Sequence, residues 1–485
     1  VSAPREGEFE GPYRPGAVAA VAAAGALLAA VPVPGLEWPA HGALAVLAVA
    51  AGLWITEAIP LAVTALLIPV LAVALRIAEP KVAFSGFGDP ILFLFLGTFL
   101  ITDATFRHGL NHRLAHSVLH APLVQRDPKR LVWAVAILGC GISAWVNNTA
   151  TTAIILPLAL AAEGRVPARL LTGVLLMAAY APSLGGLATP VGTAPNLIGL
   201  RLLEEGAGEH VTFARWCAMF APLAIVATLL TAAWFRFLGR GGAPAPAERA
   251  PASHGGTPSH EGPRPWSLAE RTLIPVILCV ITLWIVPGIL LATPLREQAW
   301  LKAWNASLPE TSVPLLGGAV LFLLPSGRGK SRILDVGVLR RLDWSTLMLF
   351  GGGLSLGALM FQTGLARAIG EWIFAVVPIR GEYGIILAAT LMAVLVSETT
   401  SNTASASLVV PVVLALAQTA GVDPMKPALA ATVGCSFGFM LPVSTPPNAL
   451  VFATGRVRII EMVRYGVLLD LAGILLVSLW VWWVV

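Results

Sequence analysis

Two short stretches carry the side chains best suited to hold small ions. They read Ser143-Ala144-Trp145-Val146-Asn147-Asn148-Thr149 and Ser397-Glu398-Thr399-Thr400-Ser401-Asn402-Thr403. Each sets small hydroxyl and amide groups into an apolar run, just ahead of a helix-forming stretch (153–162 and 408–417). Such a break exposes unpaired N–H groups at the new helix start, which favour an anion. It also frees carbonyls at the end of the preceding helix, and these can coordinate sodium. Asn, Ser and Thr serve both ends without burying a permanent charge. The plainer alternative is a helix cap or an interhelical hydrogen bond. That explains one break more easily than two.

Two further stretches interrupt long apolar segments: Ala188-Thr189-Pro190-Val191-Gly192-Thr193-Ala194-Pro195-Asn196 and Pro442-Val443-Ser444-Thr445-Pro446-Pro447-Asn448. Proline lacks an N–H donor and disrupts the turn before it. Unwound backbone is therefore expected here, with carbonyls offered to a cation. A simple proline kink explains one proline but not Thr-Pro-Pro-Asn.

The elements that position these motifs follow from composition. Of 485 residues, 57% are hydrophobic and 12% charged, against roughly 45–50% and 25% in a soluble domain. Mean hydropathy is +0.81. Too little charge remains to cover a soluble surface, so the chain reads as an all-α polytopic membrane protein embedded in a lipid bilayer. The net charge of +5 does not mark nucleic-acid binding, because Arg and Lys cluster between apolar runs. Cys140, Cys217, Cys279 and Cys435 lie inside apolar stretches and form no CxxC pair. Residues 1–15 are polar, with Glu6, Glu8 and Glu10, and Gly16–Val33 reads as a retained first span.

Further spans are expected at about 42–58, 60–77, 90–106, 170–200, 216–238, 272–292, 313–325, 345–361, 426–453 and 464–485, about eleven transmembrane helices in all. The regions 130–162 and 383–420 are too long for one span and are broken by the Ser-Asn-Thr-type clusters. Polar breaks at membrane depth survive only when buried in protein or lining a cavity, so both regions read as re-entrant hairpins. Residues 239–265, with six Gly and six Pro, read as a flexible cytoplasmic linker between 1–238 and 266–485. Those halves repeat one another. Phe95–Leu110 matches Phe350–Leu365 at an offset of 255, Asn147 matches Ser401 at 254, and Gly192 matches Ser444 at 252. With a cytoplasmic N-terminus and an outside C-terminus, 22 Lys and Arg fall inside and 9 outside, the bias expected of the positive-inside rule. Five spans separate the hairpins, an odd number, which predicts an inverted-topology repeat.

The paired hairpin motifs and paired Thr-Pro-Pro-Asn-type loops resemble those of the divalent anion–sodium symporters, the INDY-type dicarboxylate transporters. Trp54-Ile55-Thr56-Glu57-Ala58-Ile59-Pro60 and Met440–Ala449 add to the resemblance, which covers nearly the whole chain. It implies a homodimer with scaffold and transport domains working as an elevator, and sodium-coupled uptake of C4-dicarboxylates. It assigns sodium to Ser143, Asn148 and Gly192 at one site and to Ser397, Thr400, Asn402 and Ser444 at another. Substrate would meet Asn148, Thr149, Asn402, Thr403, Thr445 and Pro446, with Asn147, Ala194 and Ser401 completing the pocket. Asn147 stands where the family usually has Ser, Ala194 where it has Pro, and Ser444 where Ala is common.

Four histidines, His108, His112, His116 and His120, recur every fourth residue and read as one face of a basic interfacial helix rather than a metal site. Glu57, Asp103, Glu398 and Asp470 are acids in or near apolar segments and therefore functional candidates; Glu398 abuts the second tip. The alternative reading is a dicarboxylate, citrate or sulfate transporter working as an anion exchanger. An enzyme would need a nucleophile–base pair or metal cluster at membrane depth, and the motifs supply neither.

Overall fold

Helix ends along the chain are set by recurring local signals. Asp89 accepts from the Ile91 N–H and caps the helix Pro90–Arg107. Asp343, 254 residues on, accepts from the Thr346 N–H and caps Trp344–Gln362. The computed structural model describes residues 14–119, 122, 124, 127–239, 265–327, 329, 331–376 and 381–485. Glu6, Glu8, Glu10, His120 and linker residues 240–264 lie outside them.

Apart from a single bridge between Pro325 and Arg332, the described residues carry helices and connections only. The principal ones are α1 (Pro15–Ala30), α2 (Trp38–Thr56), α3 (Leu61–Ala74), α4 (Pro90–Arg107), α5 (Leu110–Leu119), α6 (Leu131–Ser143), α7 (Asn148–Leu160), α8 (Ala168–Gly185), α9 (Ala194–Ala207) and α10 (Phe213–Leu238). The second half holds α11 (Leu268–Leu291), α12 (Val313–Leu321), α13 (Trp344–Gln362), α14 (Leu365–Val376), α15 (Gly381–Thr399), α16 (Asn402–Thr419), α17 (Met425–Gly434), α18 (Pro446–Ala453) and α19 (Ile459–Val484).

Among the described residues, nine helices are long and apolar enough to cross a membrane. The protein is therefore a multi-pass membrane protein. Each expected span corresponds to a helix or a helix pair. The stretches 170–200 and 426–453 are each split in two, as α8/α9 and α17/α18, because Pro195 and Pro446-Pro447 start new helices after unwound segments. Helix α12 is only nine residues, about 14 Å at the rise of an α-helix, well short of a ~30 Å hydrocarbon core. The hairpin arms differ too: α6 and α7 have 13 residues each, whereas α15 and α16 have 19 and 18.

Packing follows the repeat with partners exchanged. Helix α3 packs on α13 and α12 packs on α4. Helix α8 meets α18 as α9 meets α17, and α7 meets α18 as α16 meets α9. The apolar window of the α8 segment is 94% buried and that of α11 only 28%, so the broken helices form the centre and α11 lies at the periphery. A separate apolar cluster joins α2, α3, α13 and α16 through Trp54, Ile68, Leu356 and Val412.

The histidine stripe does not form one face. Gly109 adopts φ +78° and ends α4, leaving His108 as its cap while His112 and His116 lie on α5. The His108 ring bonds to Ile333 O at 2.9 Å. Asp103 is likewise structural, paired with Arg341 at 3.1 Å.

Candidate functional site

Both hairpin tips are built the same way. At the first, Ser143 Oγ donates to Asn148 Oδ1 at 2.7 Å; at the second, Ser397 Oγ donates to Asn402 Oδ1 at 2.9 Å. The residue before each tip helix caps it. Asn147 Oδ1 accepts from Ala150 N at 2.8 Å, and Ser401 Oγ accepts from Ala404 N at 3.2 Å. Helices α7 and α16 thus begin with N–H groups of Asn148, Thr149, Asn402 and Thr403 outside the intrahelical pattern, an electropositive end suited to carboxylates. Asn147 and Thr149 are exposed, while Ser401, Asn402 and Thr403 are half-buried.

The unwound loops are pinned by a matched pair that the sequence reading passed over. Asn196 Nδ2 donates to Gly186 O and Thr189 O at 2.9 and 2.8 Å. Asn448 Nδ2 donates to Gly438 O and Leu441 O at 2.9 and 3.0 Å. All four acceptors sit at an offset of 252, so one amide organises each loop. The signal available in the sequence was the final Asn shared by both loops. Thr445 caps α18 by accepting from Asn448 N at 3.3 Å. Ala194 is half-buried and Pro446 exposed at the starts of α9 and α18.

The loops lie against their own tips. Thr189 Oγ1 donates to Ala144 O at 2.5 Å. In the second half Ser444 Oγ donates to Glu398 O at 3.1 Å and to Glu398 Oε2 at 2.6 Å, and Met440 N donates to Glu398 Oε1 at 2.8 Å. Ser397 Oγ also reaches Cys435 O at 2.7 Å.

Some of the oxygens expected to hold sodium lie beside two matched glycines, those of Asn148 and Gly192 at Gly186 and those of Ser397 at Gly438. A methyl group on Gly186 would lie 2.8 Å from Asn148 Oδ1 and 3.2 Å from Gly192 O. One on Gly438 would lie 3.3 Å from Ser444 Cβ and 3.4 Å from Ser397 O and Oγ. Thr400 Oγ1 is buried with no hydrogen-bond partner. These are all-oxygen, uncharged donor sets beside unwound backbone, the chemistry that suits a hard monovalent cation. Neither Gly186 nor Gly438 was singled out in the sequence, because a missing side chain leaves no chemical signature there. Two repeat-related half-helix breaks facing two hairpin tips define the class, a membrane transporter.

A family model described as the sodium:sulfate symporter transmembrane region matches residues 16–485. The chain belongs to that family of divalent anion–sodium symporters, and is a sodium-coupled anion transporter rather than an enzyme. It is 31% identical over 446 residues to a Haemophilus influenzae protein described as an uncharacterized transporter, covering 91% of each chain. The sodium-dependent dicarboxylate transporter SdcS of Staphylococcus saprophyticus is 29% identical over 456 residues, covering 89% of this chain and 83% of the relative. The Staphylococcus aureus SdcS is 29% identical over 476 residues, covering 93% and 86%. Among solved structures, the Alcanivorax borkumensis YdaH transporter aligns with a TM-score of 0.56 at 18% identity, covering 83% of this chain and 87% of that one. That likeness concerns the fold.

Proposed function

We propose that the protein imports C4-dicarboxylates such as succinate, malate and fumarate together with sodium across the cytoplasmic membrane. The observation that carries this reading is the matched pair of Ser–Asn tips, Ser143 on Asn148 and Ser397 on Asn402, each opening a helix with free N–H groups beside an unwound loop. Neither tip nor loop contains Arg or Lys, so a dianion draws its countercharge from helix N-termini and bound sodium. Sodium binds through Ser143, Asn148 and Gly192, and through Ser397, Thr400, Asn402 and Ser444. The dianion binds at Asn147, Asn148, Thr149, Ala194, Ser401, Asn402, Thr403, Thr445 and Pro446. The SdcS relatives, named for sodium-dependent dicarboxylate transport, support this substrate class.

The exchanged packing of the halves supports an inverted repeat with re-entrant hairpins. In this reading the hairpins and broken helices form a transport domain that moves as an elevator against a scaffold held in a homodimer. The N-terminus is cytoplasmic and the C-terminus outside. Labelled succinate uptake into proteoliposomes tests the proposal. Uptake driven by an inward sodium gradient, competed by malate and fumarate but not by sulfate, is expected. Uptake indifferent to sodium, or driven only by internal dicarboxylate, would point to the exchanger instead.

A further inference from the structure

An apolar cavity of about 380 Å³ lies beside the first hairpin, and none of the residues proposed to hold sodium or the anion lines it. Its walls come mainly from α4, α5, α6 and α11. Arm α6 packs on α7, α8 and α10, and its other face borders the cavity at Ile137, Leu138, Gly141 and Ile142. Gly141 adds room, since a methyl group there would meet nothing within 4 Å. At the repeat offset of 254 the second hairpin carries Leu395 in its place.

The walls offer a polar ligand little. Among the described residues no charged side chain borders the cavity, and four polar ones bond within the protein. Thr98 Oγ1 donates to Leu94 O at 2.9 Å, and Thr105 Oγ1 to Thr102 O at 2.7 Å. Asn111 Nδ2 donates to Thr105 Oγ1 at 3.2 Å, and the Trp284 indole to Glu310 O at 2.9 Å. An apolar cavity of about 150 Å³ already stays dry and takes a benzene-sized ligand. Hydrocarbon therefore suits this larger one better than water.

Position decides which hydrocarbon. The α11 wall, from Ile277 to Trp284, is central in a 24-residue helix long and apolar enough to cross a membrane. The cavity thus lies at the depth of the acyl chains. It opens past Ile137 and Leu114, which are 57% and 49% exposed, so it is continuous with the surface a multi-pass protein turns to its surroundings in the bilayer. An empty space there forfeits dispersion contacts along its walls, and acyl chains are at hand to fill it.

We propose that this cavity is a lipid-binding site, holding one acyl chain of a membrane phospholipid between α6 and the pair α4 and α11. The chain enters past Ile137 and Leu114 and reaches toward Trp145, Val146 and Val191 beside the first tip. There it fills the gap between the hairpin arm and those two helices. The site is independent of which anion or cation the protein carries.

The test uses the full-length protein in phospholipid nanodiscs doped with a phosphatidylethanolamine that bears a mid-chain diazirine. After irradiation, adducts are mapped by peptide mass spectrometry. Leu138, Ile142 and Val280 line the cavity and are otherwise buried by protein, so lipid reaches them only by entering. Adducts are expected on these three as well as on exposed positions such as Leu278 and Leu475. Gly141→Phe fills the cavity from its wall and should remove the buried adducts while leaving the exposed ones unchanged. A wild-type map with adducts on exposed positions alone overturns the inference, and this result needs no variant to fold. Buried adducts that persist undiminished in folded Gly141→Phe overturn it as well. Buried labelling by a diazirine fatty acid but not by the phospholipid overturns the assigned occupant.

Discussion

Gly97 and Gly352 lie 255 residues apart and do the same work on opposite partners. Gly97 of α4 rests on the backbone of Pro314 and Leu315 in α12, and Gly352 of α13 rests on Ala65 in α3. Leu315 and Ala65 are themselves 250 residues apart. A helix of one repeat therefore seats its glycine on the other repeat's short helix, and the reverse contact repeats it. Such reciprocity is what a two-fold relation between the halves requires. It relies on small residues, the usual means by which membrane helices approach closely.

Any side chain at these two positions meets backbone rather than a yielding side-chain tip. Gly97→Ala and Gly352→Ala should each lower the thermal midpoint in detergent, with an overpacking cost of about 1–3 kcal/mol. Gly141, where an added methyl meets nothing within 4 Å, is the control. Gly141→Ala should melt at or slightly above wild type, since a helical alanine is favoured by roughly 1 kcal/mol over glycine.

Asn148 and Asn402 should be required for sodium coupling and dispensable for folding. Each accepts one hydroxyl bond from its serine, a contact worth about 1 kcal/mol net. Asn148→Ala and Asn402→Ala should therefore remain monodisperse and fold. Sodium-driven succinate uptake should fall to background in both, because each loses an oxygen of its cation site. Wild-type uptake in either variant would remove that asparagine from the assignment.

The parts legible in the sequence were those encoded locally. A polar break in an apolar run and a proline cluster within a span each announce themselves within ten residues. The repeat made them visible twice. What escaped was whatever depends on distance along the chain or on an absent atom. The bonds from Met440 and Ser444 to Glu398 join residues 42 and 46 apart, and nothing in the motif Ser-Glu-Thr-Thr specifies them. Gly186 and Gly438 matter because they leave room. The histidine stripe misled for the opposite reason. Its four-residue period is helical only if the helix continues, and the left-handed turn at Gly109 stops it.

Outside the membrane-spanning segments, Glu310 gives a pH-dependent prediction. Burial raises its carboxyl above the usual range, partly offset by the Phe213 N–H and by nearby His210. The Phe213 N–H lies 3.0 Å from Oε2, and the backbone carbonyl of Glu310 takes the Trp284 indole at 2.9 Å. A raised folded-state value means that stability is fully present below the unfolded value and is lost as pH rises through the folded one. Glu310→Gln keeps an acceptor for Phe213 and cannot ionise. It should melt higher than wild type at about pH 8, with the difference closing as pH falls toward about 4. A gap that widens in acid would contradict the assignment.

Asn147 divides one amide between two roles. Its oxygen caps α7 by accepting from Ala150 N, just as Ser401 caps α16, so the capping role alone is open to serine as well. What serine lacks is the Nδ2 group, carried by an exposed residue at the mouth of the first tip. There it adds a donor for a carboxylate and takes up room that a larger, more highly charged anion such as citrate would need. Asn147→Ser should therefore keep the wild-type melting point and sodium dependence while admitting citrate as a better competitor of succinate uptake. Asn147→Ala, which removes the cap as well, should in addition lose about 1 kcal/mol of stability. Competition by a panel of dianions and citrate, measured beside thermal midpoints for wild type and both variants, separates the roles. If the serine variant has an unchanged inhibition profile, Asn147 is a helix cap alone, and discrimination between anions must come from the half-buried second tip at Ser401, Asn402 and Thr403.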